Sequence, residues 1–260
     1  METLRFDQEG SYGIIRFNRP EVLNAINEPM AEELDRLLDE LEHNSDIRAL
    51  ILIGSERSFC AGADLKAIYA QQSSNGQGLN RLLEKLGRAL EHIEYYGKPI
   101  GAAISGVAYG GGCEISLACD VRVAAENARI ALSEVRLGVL PAGGGTQRLP
   151  RIIGLARAKQ MMLSGAPIDA VTAEKWGLVD QVVPTDQLLQ ATKAFMAPFL
   201  EGAPLSQAAI KAAALAATNT DLSTGLRIER QWSDFLNTTQ DFKEGVAAFN
   251  EKRAAHFQGR

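Results

Sequence analysis

Histidine and cysteine are both scarce in this chain of 260 residues, three of each, and the scarcity removes whole classes of chemistry. Cys60, Cys113 and Cys119 are an odd number with no metal-type pairing to histidine. Neither a disulfide framework nor a metal centre is expected from them, and reduced thiols in a cytoplasm are the plain reading. His43, His92 and His256 stand at a helix end, on a helix flank and in the C-terminal tail. None adjoins a motif serine, cysteine or acid, so no nucleophile–histidine pair is expected. Basic clusters are missing as well. With 27 Lys+Arg against 32 Asp+Glu and a net charge of −5, nucleic acid is not an expected partner. Long apolar runs are also lacking. The least polar stretch, Pro99 to Ala118, is interrupted by five glycines and by Glu114, so it does not read as a bilayer span. The start, Met1-Glu2-Thr3-Leu4-Arg5, has no apolar run behind a basic residue, and no signal peptide is expected.

What is present is an ordinary globular composition, 46% hydrophobic and 23% charged, in a chain long enough to bury a full core. Leu4-Arg5-Phe6 and Gly13 to Phe17 read as a strand pair before the turn Asn18-Arg19-Pro20. Asn27 is placed to cap a helix with Pro29 in its first turn and Met30, Leu34, Leu37, Leu38 and Leu41 on one face. Ala49 to Ile53 is a continuous apolar run of strand length, expected to be buried on both faces. Residues 71–78 read as a polar, glycine-bearing loop. Leu79, Leu82, Leu83, Leu86, Leu90 and Ile93 then mark a second amphipathic helix, which Gly97 can end. Pro99 to Val107 reads as one buried strand, Cys113 to Cys119 as a helix, and Val121–Ala124 and Ile130–Leu132 as short strands. Beyond about residue 155 the pattern is mostly helical, apart from the strand-like run Leu178 to Val183 after Gly177. Alanine-rich segments at 204–217, 221–236 and 240–253 predict a final helical layer. The class is α/β with a C-terminal helical module.

Three segments break the habits of a core. Ser58-Phe59-Cys60-Ala61-Gly62-Ala63-Asp64-Leu65-Lys66 follows a buried strand with a turn of small residues. Gly106 to Glu114 runs through Gly110-Gly111-Gly112 and closes with an acid in the first turn of a helix. Leu132 to Leu149 carries Ser133-Glu134-Val135-Arg136 and then Pro141-Ala142-Gly143-Gly144-Gly145-Thr146-Gln147-Arg148. Singly, each has a structural explanation. A triple glycine before a helix reads equally as a tight turn, Glu114 as an answer to the helix dipole, and Glu134 as a surface acid near Arg136. The glycine spacing fits neither a phosphate loop nor a dinucleotide fingerprint.

Together, and with Asn18-Arg19-Pro20, Leu23-Asn24-Ala25 and Phe249-Asn250-Glu251-Lys252-Arg253, they resemble the crotonase (enoyl-CoA hydratase/isomerase) superfamily over nearly the whole chain. The resemblance implies a spiral of ββα units over residues 1–198 and a helical oligomerisation module over 199–260. It implies a homotrimer or a homohexamer built as a dimer of trimers. The implied substrate is an acyl-CoA thioester, with no cofactor and no metal, in fatty-acid or branched-chain acid breakdown.

The same resemblance assigns the site. Backbone N–H groups of Ala63 and Gly111 would hold the thioester oxygen as it becomes an enolate. Glu114 and Glu134 would grip one water, Glu114 as the carboxylate that takes its proton and Glu134 as the acid that protonates C2. On this view the helix N-terminus favours an ionised Glu114, and an apolar pocket raises Glu134. Contacts to CoA are expected from Val22, Ala25, Ala61, Asp64, Leu65, Lys66, Gly110 and Ala142, with Lys252 reaching a neighbouring subunit's ligand. The acid pair, 20 positions apart, matches the hydratase pattern. 3-Methylglutaconyl-CoA hydratase and enoyl-CoA isomerase are the rivals within the class, and a non-catalytic CoA- or RNA-binding member is the reading outside it. One position departs from the family habit: Pro141-Ala142 stands where relatives commonly carry Pro-Gly.

Overall fold

The computed structural model describes residues 1–75 and 78–260. Strands β1 (Leu4–Glu9) and β2 (Tyr12–Phe17) pair antiparallel, and helix α1 (Glu28–Glu42) follows. Asn27 caps α1 by accepting from Met30 N at 3.0 Å, and the predicted leucine stripe is buried. Three passes of one pattern come next. Strand β3 (Ala49–Ile53) leads to β4 (Ser58–Cys60) and then to helices α2 (Leu65–Asn75) and α3 (Gly78–Tyr95). Strand β5 (Ile100–Ile104) leads to β6 (Val107–Tyr109) and α4 (Gly111–Ala118). Strand β7 (Val121–Ala125) leads to β8 (Arg129–Ala131), a 3-10 turn at Glu134–Leu137, and helices α5 (Gly145–Ile153) and α6 (Leu155–Ser164). Strand β9 (Ile168–Asp169), helix α7 (Ala170–Trp176), strand β10 (Gln181–Val183) and helix α8 (Leu188–Met196) close the core. Helices α9 (Pro204–Asn219), α10 (Leu222–Leu236) and α11 (Gln240–Glu251) form the terminal layer.

In each pass the first strand joins one sheet and the second joins another. The larger sheet has the order β1-β2-β3-β5-β7-β10 and the smaller the order β4-β6-β8-β9, parallel except at β1–β2 and β8–β9. The chain therefore advances as a spiral of ββα turns, as the resemblance implies. Alternation along the central strands feeds two cores. Ile15, Leu50, Leu52, Ala102 and Ile104 face α1, α3 and the smaller sheet, while Ile14, Ala49, Ile51, Ala103 and Val123 face Leu188 and Met196 of α8. Each fully buried leucine or isoleucine contributes about 1.5–3 kcal/mol, so the central sheet is the rigid base of the molecule.

Three local expectations are corrected. The single strand expected over Pro99–Val107 is two, β5 and β6, in different sheets. The break falls at Ser105-Gly106, where Gly106 has φ +57° and a Cβ would collide with the Arg57 carbonyl. Continuous apolarity hid that corner. Residues 71–75 of the expected loop continue α2, residues 76 and 77 lie outside the described residues, and Gly78 opens α3. Glutamine suits a helix as well as a loop, so polarity alone misled. The strand expected at Leu178–Val183 narrows to β10; Leu178 and Val179 are buried ahead of it. No described helix is long and apolar enough to cross a membrane.

Candidate active site

The spiral sets the second strands of successive passes side by side, and the turns that leave them meet. β4 and β6 run parallel, so the Gly62-Ala63 turn after β4 lies against the Gly110-Gly111 turn after β6. A Cβ on Gly62 would stand 3.4 Å from Gly111 N and 2.8 Å from the Tyr109 carbonyl. Gly110, at φ +50°, occupies a backbone region that side chains rarely adopt.

The first turn is braced from outside. Ile26 N donates to Gly62 O at 2.7 Å and Asp64 N to Ile26 O at 2.8 Å, which leaves the Ala63 N–H facing away from that ladder. Among the described residues neither Ala63 N–H nor Gly111 N–H donates to a protein acceptor. Gly111 is the first residue of α4, so its N–H also carries the positive end of that helix. Two unpartnered donors on adjacent turns can bind a single oxygen that gains negative charge.

The remainder of the brace comes from the Asn18–Ile26 segment. Leu23 and Asn24 both take left-handed backbone, φ +53° and +56°, and the buried Asn24 amide pins them by donating to Ser58 O at 3.0 Å and Phe59 O at 3.2 Å. Arg19 donates to the Ala25 carbonyl and pairs with Asp64 at 2.9 Å. Asp64 also caps α2 through Ala67 N at 3.1 Å. Burial opposes ionisation of Asp64, but the Ala67 N–H and Arg19 outweigh it and hold the carboxyl below its usual range. The Asp64 carboxylate is thus committed within the chain.

Glu114 and Glu134 arrive from the other side. Glu114 lies in the first turn of α4 and is 3% exposed. Its Oε1 accepts from Gly145 N, the first residue of α5, at 2.8 Å. The helix dipole that meets this carboxylate is therefore that of α5 as well as its own helix's. Glu134 opens the 3-10 turn after β8 and faces Gly110, whose Cβ would lie 3.1 Å from Glu134 Oε1. Glu134 Oε2 is buried and has no hydrogen-bond partner among the described residues.

Burial raises both acids. It lifts Glu114 to about 7, with the charge of Glu134 adding to the rise and the Gly145 N–H, the Gly143 N–H and then Arg148 opposing it. Glu134 is raised by burial, and only its own backbone N–H opposes the rise. The helix-dipole argument for an ionised Glu114 thus meets desolvation of greater size. What separates the two acids is hydrogen bonding: Glu114 has the N–H groups of Gly145 and Gly143 and the Arg148 charge for its anion, whereas Glu134 has only its own backbone N–H, so one shared negative charge sits better on Glu114.

The other expected contacts divide. Val22, Ala25 and Ala61 line up along the braced turn, with Ala61 N bonded to Leu23 O at 3.0 Å. Leu65 and Lys66 are exposed at the start of α2, next to Ala63 and Asp64. Ala142 is exposed and does not have a positive φ, so alanine at that position carries no backbone penalty. Lys252 ends α11 in a left-handed conformation, and no described contact ties it to the acid pair.

Cys60 and Cys113 are fully buried, and burial pushes the Cys60 thiol to about 12. Asp120 accepts from Ile100 N and Lys211, both at 2.7 Å, a bracing role. Trp232 is half-buried on Phe235. Asp39, Glu42 and His92 bring potential ligand atoms within 4.8 Å of one another on the outer surface of α1 and α3, apart from the acid pair. Two cavities of about 710 and 720 Å³ exist elsewhere, neither lined by Glu114 or Glu134.

The comparisons with known proteins agree with this geometry. The sequence model described as enoyl-CoA hydratase/isomerase matches residues 7–260. A probable enoyl-CoA hydratase of Rhizobium meliloti (strain 1021) is 39% identical, covering 100% of this chain and 99% of the relative. A short-chain-enoyl-CoA hydratase of Clostridium acetobutylicum is 38% identical over 95% of this chain and 94% of the relative. The crystal structure of an enoyl-CoA hydratase from Bacillus anthracis superposes with a TM-score of 0.93 at 36% identity, covering 99% of this chain and all of that one.

Proposed function

The chain belongs to the enoyl-CoA hydratase/isomerase family, and from that premise we propose that it is a hydro-lyase adding water reversibly to trans-2-enoyl-CoA to give 3-hydroxyacyl-CoA. The observation that carries the reading is the pair of acids, Glu114 buried and Glu134 half-buried, beside the turns that hold the two unpartnered N–H groups. The thioester oxygen accepts from Ala63 N–H and Gly111 N–H, an oxyanion hole that stabilises the enolate. Water lies between the two carboxyl groups. Glu114 takes one of its protons as the oxygen bonds to C3, and the electron pair of the double bond moves through C2 onto the thioester oxygen. The enolate then collapses as C2 takes a proton from Glu134. Dehydration runs the same steps backwards, and no cofactor or metal enters the balance.

A second acid favours hydration over double-bond isomerisation, which moves one proton between two carbons and needs a single base. Val22, Ala25, Ala61, Leu65 and Lys66 are the proposed path for CoA, with Gly110 and Ala142 bordering the reacting end. Exposed Leu222, Leu226, Phe242, Val246 and Phe249 on the terminal helices support a homo-oligomer, a trimer or dimer of trimers, with residues 199–260 as its contact module. The three buried free thiols fit a reducing compartment, and the cytoplasm is the location proposed.

Crotonyl-CoA, a 3-enoyl-CoA and 3-methylglutaconyl-CoA offered separately test the reading. Loss of the conjugated-thioester absorbance with crotonyl-CoA, and formation of 3-hydroxybutyryl-CoA, are the expected results. Turnover of the 3-enoyl-CoA alone would make the protein an isomerase, and binding without turnover would make it a non-catalytic member.

A further inference from the structure

We propose that Arg148 is a positioning residue: its guanidinium, clamped by Glu94, holds the Gly143 carbonyl so that the Gly143–Gly145 turn presents the Gly145 N–H to Glu114. The inference rests on Glu114 being the proposed base. Arg148 Nη1 donates to Gly143 O at 2.9 Å, while Nε and Nη2 donate to Glu94 Oε1 and Oε2 at 3.2 and 2.7 Å. Both side chains are largely buried, 17% and 23% exposed, and the bidentate fork fixes the guanidinium plane. Three residues along α5 from Gly145, Arg148 sits in the first helical turn, where a cation is opposed by the helix dipole. Helix stability does not account for it there. Its contacts do, because the carbonyl it holds and the N–H that Glu114 accepts flank the same glycine turn.

The charge acts in the same sense as the geometry. Groups facing Glu114 are Glu134 from the turn after β8, Arg148 from α5 with Glu94 of α3 behind it, and the buried Cys113 thiol. Arg148 is the cation of this set, and it favours the ionised form of Glu114. A lysine would keep the charge but lose the planar fork. The other side of Arg148 borders the 710 Å³ cavity with Glu94, Gly144, Arg151 and Lys211, so a shorter side chain leaves the packed core intact.

The test is the pH profile of crotonyl-CoA hydration by wild type, Arg148→Gln, Arg148→Lys, Glu94→Gln and Glu114→Gln. In Arg148→Gln the acidic limb of kcat should move to higher pH by about one unit, because a nearby cation no longer favours the carboxylate. Its kcat at neutral pH should fall about tenfold with KM within about twofold, since Arg148 touches no substrate. Arg148→Lys should return the limb toward wild type with kcat still depressed. Glu94→Gln loosens the clamp and should likewise depress kcat severalfold with KM within about twofold, and it decides the matter if Arg148→Gln fails to fold. A limb that stays at its wild-type position in Arg148→Gln overturns the inference, as does a wild-type kcat in Glu94→Gln. Wild-type hydration by Glu114→Gln would instead overturn the assignment of the base. An inactive Glu114→Gln beside an unmoved limb in Arg148→Gln would overturn the role of Arg148 alone.

Discussion

Replacing Gly143 with alanine would place a methyl carbon 2.5 Å from Oε2 and 2.9 Å from Cδ of Glu114, with Leu90 Cδ1 only 3.2 Å away. Non-bonded heavy atoms rest at about 3.5 Å, so the carboxylate must retreat by about 1 Å or the turn must open. Either motion strains the 2.8 Å bond from Gly145 N to Glu114. A hydrogen bond to a charged group contributes about 1.5–3 kcal/mol, roughly a factor of 10 to 150 in an equilibrium. A displacement of about 1 Å at reacting atoms costs on the order of 100-fold in rate, which agrees with that range. The Gly143→Ala variant should therefore lose about 100-fold in kcat for crotonyl-CoA hydration. KM should change by less than about threefold, because the Ala63 and Gly111 turns are untouched. Overpacking adds a stability loss of about 1–3 kcal/mol, readable as a lower Tm. The assay is the disappearance of the conjugated-thioester absorbance. A Gly143→Ala variant that is folded and turns over at the wild-type kcat refutes the placement of Glu114 against this turn.

Other outcomes follow from the same geometry. Holding Glu114 at about 7 rather than the ordinary 4.5 means the folded state binds its proton more tightly than the unfolded chain. The stability from this group is full below pH 4.5 and is lost as pH rises through about 7, a difference on the order of 3 kcal/mol. Glu114→Gln should accordingly gain more thermal stability over wild type at pH 8 than at pH 5; equal gains would contradict the buried-acid picture. Ala142→Gly should leave hydration within about threefold of wild type, because Ala142 needs no positive φ, and a large gain would show that alanine impedes the water. Native protein should resist thiol alkylation at pH 7.5 and label only on unfolding, since Cys60, Cys113 and Cys119 are buried and burial raises each thiol.

Much of this was legible in the sequence, for identifiable reasons. Met30, Leu34, Leu37, Leu38 and Leu41 declare α1 because a helix buried on one side must repeat its apolar residues at that spacing. Ala49–Ile53 declares a doubly covered strand because nothing polar interrupts it. The resemblance supplied the spiral and the family, which the structure and the relatives bear out. Corners were harder. Ser105-Gly106 splits an unbroken apolar run between two sheets, and only the three-dimensional crowding at the Arg57 carbonyl shows why.

In the site, the Glu114 and Glu134 positions were readable, but their electrostatics were not. Which helix points at Glu114 depends on α5 arriving from 31 residues away. Asp64 looked available to a ligand until its bonds to Arg19 and Ala67 were seen. Arg148 was readable as one residue of the motif that carries the resemblance, but its role was not, because that is set by the distant Glu94 and by a backbone carbonyl.

The proposed hydration depends most directly on the acid pair. Crotonyl-CoA hydration by Glu114→Gln and by Glu134→Gln, each measured beside wild type at its optimal pH, is the deciding measurement. Loss of a general acid or base of this kind costs about 10²–10⁴-fold, so both variants should fall by at least 100-fold in kcat with KM little changed. Either variant hydrating crotonyl-CoA at the wild-type rate would contradict the two-carboxylate mechanism.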